Sequence, residues 1–263
     1  DWRELILGDK SSLILDGYHP YEDLPKMINP ESGYIFNTNN SPFNSTAESE
    51  NLKEEDYNST FSFMEKENNR SIRFMELINN YEKISYEDFK EIKYDQQYPD
   101  SIMFIGNISQ IFDIEKSKYP DYENLIGLIQ NWDRRGNIEN IGAAQWILYY
   151  SYMLDVLSEN DIFVEDSIDI KFHLEALEKA SDHLMKNFGK LDIELGDIQR
   201  HIRGDISLPV SGMIDMIAPT HIVGMKDGKI RAVSGESYIM LIKYSDDGPE
   251  IETVIPYGSS SNP

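Results

Sequence analysis

The sequence predicts an α+β fold in which a helical centre lies between two flanks of irregular or β-rich character. Three observations predict it. Residues 1–61 alternate short apolar patches with turn formers, residues 62–204 repeat their apolar positions at a period near 3.6, and residues 205–263 return to short β-rich runs broken by turns. No internal repeat and no alternation of strand with helix is present, so a parallel-sheet nucleotide fold is not supported. With 263 residues, 40% of them apolar, the chain can bury a substantial core and is expected to form one large domain or two small ones, the segments 1–61, 62–204 and 205–263 being taken together as one structural unit.

In the first segment, LILGDKSSLILDG and HPYEDLP lead to NPESGYIFNTNNSP, residues 29–42, where Asn37, Asn39 and Asn40 crowd the end of an apolar run with a strand-like look. The polar, acidic SPFNSTAESENLKEEDYNST that follows reads as a long surface loop. From about residue 62 the period lengthens. In MEKENNRSIRFMELINNYEK, Ile72, Met75 and Leu77–Ile78 share one side and charges take the other, as in an amphipathic helix. SYEDFKEIKYD offers Ser85 as N-cap with Asp88 three residues on, and ENLIGLIQNWD continues the helical series.

Residues 142–157, GAAQWILYYSYMLDVL, are apolar nearly all round, which places this helix at the centre of a core. IKFHLEALEKASDHLMKNFG closes the set at Gly189, a helix-stopping position. Beyond residue 205, KDGK, SGES and DDGP are turns between strands.

Charge and composition exclude several functions. The chain carries 24 basic and 47 acidic residues, a net charge of −23, with no basic cluster to displace counterions from a nucleic acid or an anionic membrane. Zero cysteines remove disulfides, thiolate nucleophiles and cysteine zinc sites, and no run approaches the length of a membrane span. His19, His173, His183, His201 and His221 form no HExxH or HxH pattern. His173 and His183, ten apart on one helix, would sit about 15 Å apart along its axis, too far to share a metal. No GxSxG elbow is present, SGESY having the wrong order. Glu54, Glu55 and Asp56 fall in a solvated loop, with no support for a glycosidase pair, and neither DIEKSKYPDYE nor YSDDGPE has the EF-hand spacing. For the asparagines two readings stand side by side: turn formers, or neutral donors aimed at a developing oxyanion.

NPESGYIFNTNNSP closely resembles the NPxxGxxxNxNxxP segment of the penicillin acylase family, the N-terminal-nucleophile hydrolases that include penicillin, cephalosporin, aculeacin and acyl-homoserine-lactone acylases. The likeness continues in register. HPYEDLPKMINP resembles the family's lead-in, RSIRFMELI its arginine-bearing helix, and SYEDFKEIKYD with NWDRRGNIENIGAAQWIL its succeeding helices. GDIQRHIRGDISLPVSG resembles GDxxRxxRGxxxLPVxG, and SGESYIMLIKY with VIPYGSSSNP the two terminal strands and the loop after them.

This resemblance implies a partial N-terminal-nucleophile (αββα) fold and an amide hydrolase acting through an acyl-enzyme. It places Asn39 on the family's oxyanion-hole asparagine and Arg70 on the active-site arginine that helps position it, with Arg73 one helical turn on. Gly204, Asp205 and Pro209 match a segment taken as structural, and Asn37 and Asn40 are taken as structural too. The family's nucleophile is a serine at the N-terminus of its larger chain. A chain beginning DWRELILG and ending SSSNP is expected to be an internal-to-C-terminal piece of that chain, inactive by itself, whose partners are the remaining segments of the same precursor and a small acyl amide. No cofactor is expected for catalysis. The family allows a structural calcium, with ligands partly from other segments. The setting implied is periplasmic or secreted. The rival expectations are an acylase-like scaffold without catalysis and an acidic extracellular cation-binding protein.

Overall fold

The structure, a computed structural model, describes residues 8–14, 17–58, 63, 67–104, 107–162 and 168–258. The first helix is expected from about residue 62; residues 61–62 and 64–66 there, and the chain ends at 1–7 and 259–263, lie outside the described residues, while residues 67 and 68 are not helical and the helix begins at Asn69. The chain divides into two compact units, residues 1–71 and 72–263, where one unit with a segment boundary at 61/62 was expected.

In the first unit the expected strand character is absent among the described residues, which form short 3-10 turns at Ser11–Leu13, Tyr21–Asp23, Glu48–Glu50 and Glu54–Asp56 and the first turn of helix α1 (Asn69–Ile78). The reason is chemical. Asn, Ser and Thr side chains compete for the backbone groups that a strand ladder would use. Thr46 Oγ1 donates to Tyr34 O at 2.8 Å, and Asn51 Oδ1 accepts from the N–H groups of both Ser45 and Thr46 at 2.8 and 3.1 Å. One main-chain bond, Phe36 N to Ser45 O at 2.9 Å, joins the two arms, and Phe36 and Thr46 are buried. The acidic stretch after residue 44 therefore folds back at its start to brace residues 31–36, and is solvated as expected at residues 48–49 and again over residues 53–56.

In the second unit helices carry the core. Helix α2 (Tyr86–Lys93) starts at the expected box: Ser85 Oγ accepts from Asp88 N at 3.2 Å and the Asp88 carboxylate accepts from Ser85 N at 2.9 Å. Helix α3 (Glu123–Gln130) packs on α4 (Ile141–Glu159), which in turn packs on α5 (Ile170–Phe188). As expected for a helix apolar all round, α4 is buried on nearly every side, with Trp146 wholly enclosed among Trp132, Phe112 and Tyr149. On α5 the buried positions His173, Ala176, Leu177, Ala180, His183 and Leu184 make one stripe, and the helix stops at Gly189 in the left-handed conformation.

Both α5 histidines reach tyrosines of α4. Tyr152 Oη lies 2.9 Å from His183 Nδ1, while His183 Nε2 lies 2.8 Å from the Gly228 carbonyl. A carbonyl only accepts, so Nε2 carries a proton and donates it to Gly228 O. His173 is wholly buried with its Nδ1 2.5 Å from Tyr149 Oη, and burial pushes its pKa down to about 4 against a small opposing effect of Asp169.

After the short helix α6 (Leu195–Ile198) the chain turns to strand at β1 (Gln199–Arg203), ahead of the expected change at 204/205. Gly204 and Asp205 make the turn into β2 (Ile206–Pro209), and β3 (Thr220–Lys226) and β4 (Lys229–Gly235) complete a sheet in the order β2-β1-β4-β3. Strands β1 and β4 run parallel, a pairing that short-range patterning does not reveal. The KDGK turn between β3 and β4 holds Asp227 and Gly228 at φ +53° and +74°, as a two-residue hairpin of primed type requires. Strands β5 (Ile239–Ser245) and β6 (Gly248–Val254) form a separate antiparallel ribbon around DDGP.

Gly142 marks where α4 enters the core: a Cβ there would sit 2.4 Å from Trp132 Cβ and 2.9 Å from its Cα. Gly142→Ala is expected to destabilise the chain by about 1–3 kcal/mol, read as a lower urea midpoint, because backbone as well as side chain must give way. His173 supplies a second test. Its folded pKa is depressed, so between about 6.5 and 4 the unfolded state binds the extra proton, and stability falls as pH is lowered through that window by up to about 3 kcal/mol. His173→Phe removes this component: its unfolding midpoint is expected to fall less than wild type between pH 7 and 4, and parallel curves would show that His173 is not the group responsible.

Candidate oxyanion site

Residues 29–40 are shaped by a series of local hydrogen bonds. Pro30 to Gly33 close a turn through Gly33 N to Pro30 O at 3.0 Å. The Glu50 carboxylate caps that turn, accepting from Ser32 N at 2.9 Å and Glu31 N at 2.5 Å, and hydrogen bonds from Ser32, then Glu31, hold its pKa below the ordinary value.

The three asparagines then serve different ends. Asn37 Oδ1 accepts from Asn39 N at 2.8 Å, an Asx turn. Asn40 Oδ1 accepts from Thr38 N at 3.0 Å and Thr38 Oγ1 at 2.9 Å, while its Nδ2 donates to Asn44 O at 2.5 Å. Asn39 itself sits at φ +64°, the left-handed region that asparagine tolerates better than most residues, and its side chain is exposed. Thus Asn37 and Asn40 are turn formers as expected, and Asn39 is the one whose carboxamide closes no turn.

Arg70 occupies the first turn of α1. Its Nη1 donates to Asn39 Oδ1 at 3.0 Å, bringing together the two residues singled out from the sequence. A guanidinium has donors and no acceptor, so the oxygen of the carboxamide must face Arg70 and the Nδ2 amino group must face away. That Nδ2 makes no hydrogen bond to a described residue. The bond from a cation to Oδ1 is charge-assisted and draws electron density from the amide, which strengthens the outward N–H as a donor.

Arg73, one helical turn on, is engaged elsewhere. Its Nε and Nη2 make a two-point pair with Asp95 at 3.0 Å each, and its Nη1 reaches Glu76 at 3.1 Å.

Three further residues hold the pair in place and were not singled out from the sequence. Asn68 Oδ1 accepts from Ser71 N at 2.9 Å and Ser71 Oγ accepts from Asn68 N at 3.1 Å, a reciprocal cap at the start of α1. Asn68 Nδ2 donates to Thr38 O at 2.9 Å. Glu67 receives the Ser71 hydroxyl at 2.6 Å and the Asn44 carboxamide, which in turn pairs with Asn51 at 3.4 Å. The spacing of Asn68 and Ser71 is a legible capping signal, hidden by the expectation that the helix begins near residue 62.

The remaining candidates are absorbed by packing. Gly196, at the head of the GDxxRxxRG segment, lies against Ile138 and Pro209, Gln199 Nε2 donates to Val210 O and Gly212 O at 2.9 and 2.8 Å, and Arg200 donates to Gly196 O at 2.7 Å. Gly204 and Asp205 form a hairpin turn and Pro209 ends a strand, so this segment is structural in the fold. His201 packs against Tyr257 with the rings tilted and their centroids 5.2 Å apart, and burial, followed by Arg203, lowers its pKa. Among the described residues, no group of three or more His, Asp or Glu side chains is placed to hold a metal ion. No described helix is long and apolar enough to cross a membrane.

A neutral donor backed by a cation is what a hydrolase needs where a carbonyl oxygen gains charge during acyl transfer. Comparison with protein-family models finds a match to penicillin amidase over residues 1–263, and the chain belongs to the penicillin amidase family. With the family comes the reaction class, hydrolysis of acyl amides, and the α+β architecture agrees with part of that fold.

Proposed function

We propose that this chain provides the oxyanion-stabilising part of an acylase. The observation that carries the reading is the Arg70–Asn39 hydrogen bond, which turns Asn39 Nδ2 outward as a donor. In the reaction a serine at the N-terminus of a segment other than those described attacks the acyl carbonyl, its own α-amino group taking the proton. As the carbonyl oxygen becomes an oxyanion, Asn39 Nδ2–H donates to it. Collapse of the tetrahedral intermediate releases the amine, and water then frees the carboxylic acid from the acyl-enzyme.

Neutrality of the donor matters here, since a full charge at that point would also hold the product carboxylate. Arg70 serves from behind: its charge meets the far end of the carboxamide and leaves the donor end neutral. The substrate class is an acyl amide such as a β-lactam antibiotic or an N-acyl-homoserine lactone, and the setting a periplasmic or secreted one. Catalysis on this reading needs no cofactor, and a structural calcium would take ligands from other segments.

In the complete enzyme, Asn39→Ala is expected to lower kcat by about 10² to 10³, some 2.7–4 kcal/mol of transition-state stabilisation, with the unfolding midpoint lowered only by the about 1–2 kcal/mol that alanine costs at a left-handed position. Near-normal turnover would reject the assignment. The 263-residue chain purified alone is expected to release no product from a panel of acyl amides above the buffer rate; measurable turnover would place the nucleophile within it.

A further inference from the structure

We propose that Asn68 is the positioning residue that sets Arg70, and through it Asn39, in register for the oxyanion; the inference rests on the reading of Asn39 given above. The turn that carries Asn39 and the helix that carries Arg70 are about thirty residues apart in sequence, and each has its own local hydrogen bonds. Those bonds shape the two pieces separately. Something must fix one against the other, because a single guanidinium contact from a long, flexible side chain does not hold a carboxamide to the fraction of an ångström that oxyanion geometry requires.

Asn68 uses both ends of its amide for this. The oxygen accepts from Ser71 N at 2.9 Å, which starts α1 at a defined residue and so sets the direction in which Arg70 leaves the helix. The nitrogen donates to Thr38 O at 2.9 Å, the carbonyl of the peptide whose N–H belongs to Asn39. That same N–H is held from the other side by Asn37 Oδ1 at 2.8 Å, so the peptide plane before Asn39 is fixed at both its oxygen and its nitrogen. Thr38 Oγ1 adds a longer contact to Asn68 Oδ1 at 3.4 Å. Glu67 gives a second brace between helix start and turn through Ser71 and Asn44, but it reaches the turn two links further from Asn39.

The two functions of Asn68 can be separated. Aspartate caps a helix as well as asparagine does, yet has no N–H to offer, so Asn68→Asp keeps the helix start and turns the tie to Thr38 O into an unfavourable approach of two oxygens. In the complete enzyme Asn68→Asp is expected to lower kcat about 10- to 100-fold with KM within about twofold of wild type and the unfolding midpoint little changed. Because Asn68 acts through Asn39, Asn39→Ala/Asn68→Asp should be no slower than Asn39→Ala alone. Wild-type kcat in Asn68→Asp, or a double variant slower than Asn39→Ala by the full factor seen in Asn68→Asp alone, overturns the positioning role while leaving the oxyanion reading intact. Near-normal turnover in Asn39→Ala overturns both.

Discussion

The first unit depends on one constraint: among its described residues the main chain has almost no ladder and only the first turn of a helix, so side chains must satisfy the backbone groups that secondary structure satisfies elsewhere. Asn51 takes the N–H groups of Ser45 and Thr46, Glu50 those of Glu31 and Ser32, Asn37 that of Asn39 and Asn40 that of Thr38. This explains why the segment is rich in carboxamides without being a disordered polar tract. A carboxamide carries an acceptor and two donors on one rigid plane, so it can close a turn at one end and tie it to a neighbour at the other. Each single bond contributes about 1 kcal/mol net, and the shape of the turn comes from their mutual consistency.

The second unit solves the same problem with regular elements and reserves side-chain bonds for the joints. His183 links α5 to α4 through Tyr152 and to the β3–β4 turn through Gly228. Gln199 holds the chain after β2 through two carbonyls, and Asn140 caps α4 through Ala143 N while its nitrogen holds Asp133 at 2.7 Å. In both units polar side chains stand where the chain changes direction. The difference is that in the second unit a buried apolar helix, α4, would hold the core even where such a joint was weakened.

Periodicity made the helices legible. The all-apolar run from 142 to 157, the Ser85–Asp88 box and the stop at Gly189 each rest on local chemistry that a short window contains. Hairpins at KDGK and DDGP are local in the same way. The parallel pairing of β1 with β4 joins Gln199 to Ile230 across two other strands, and nothing in either strand's own sequence encodes its neighbour. Likewise the strand β1 reads QRHIR, whose glutamine and arginine look like helix surface until Gln199 and Arg200 are seen to be spent on backbone carbonyls. At the candidate site the residues were legible through family resemblance, and their division of labour was not, because which of three neighbouring asparagines turns outward depends on partners at residues 44 and 68–70.

That division follows from counting amide ends. Asn40 commits its oxygen to Thr38 and its nitrogen to Asn44, so neither end is available to a ligand. Asn37 commits its oxygen to the turn, and its backbone bond partner is Asn39 itself, which makes it part of the support. Asn39 commits its oxygen to a cation and its main-chain N–H to Asn37, leaving its nitrogen as the end that faces away from both. The left-handed backbone at Asn39 completes the argument: it carries a strain cost that asparagine bears more easily than most residues. A donor in that position is rigid because every other polar group of the residue's amide and of the peptide before it is already bound, and rigidity of a neutral donor is the property that distinguishes oxyanion stabilisation from ordinary solvation.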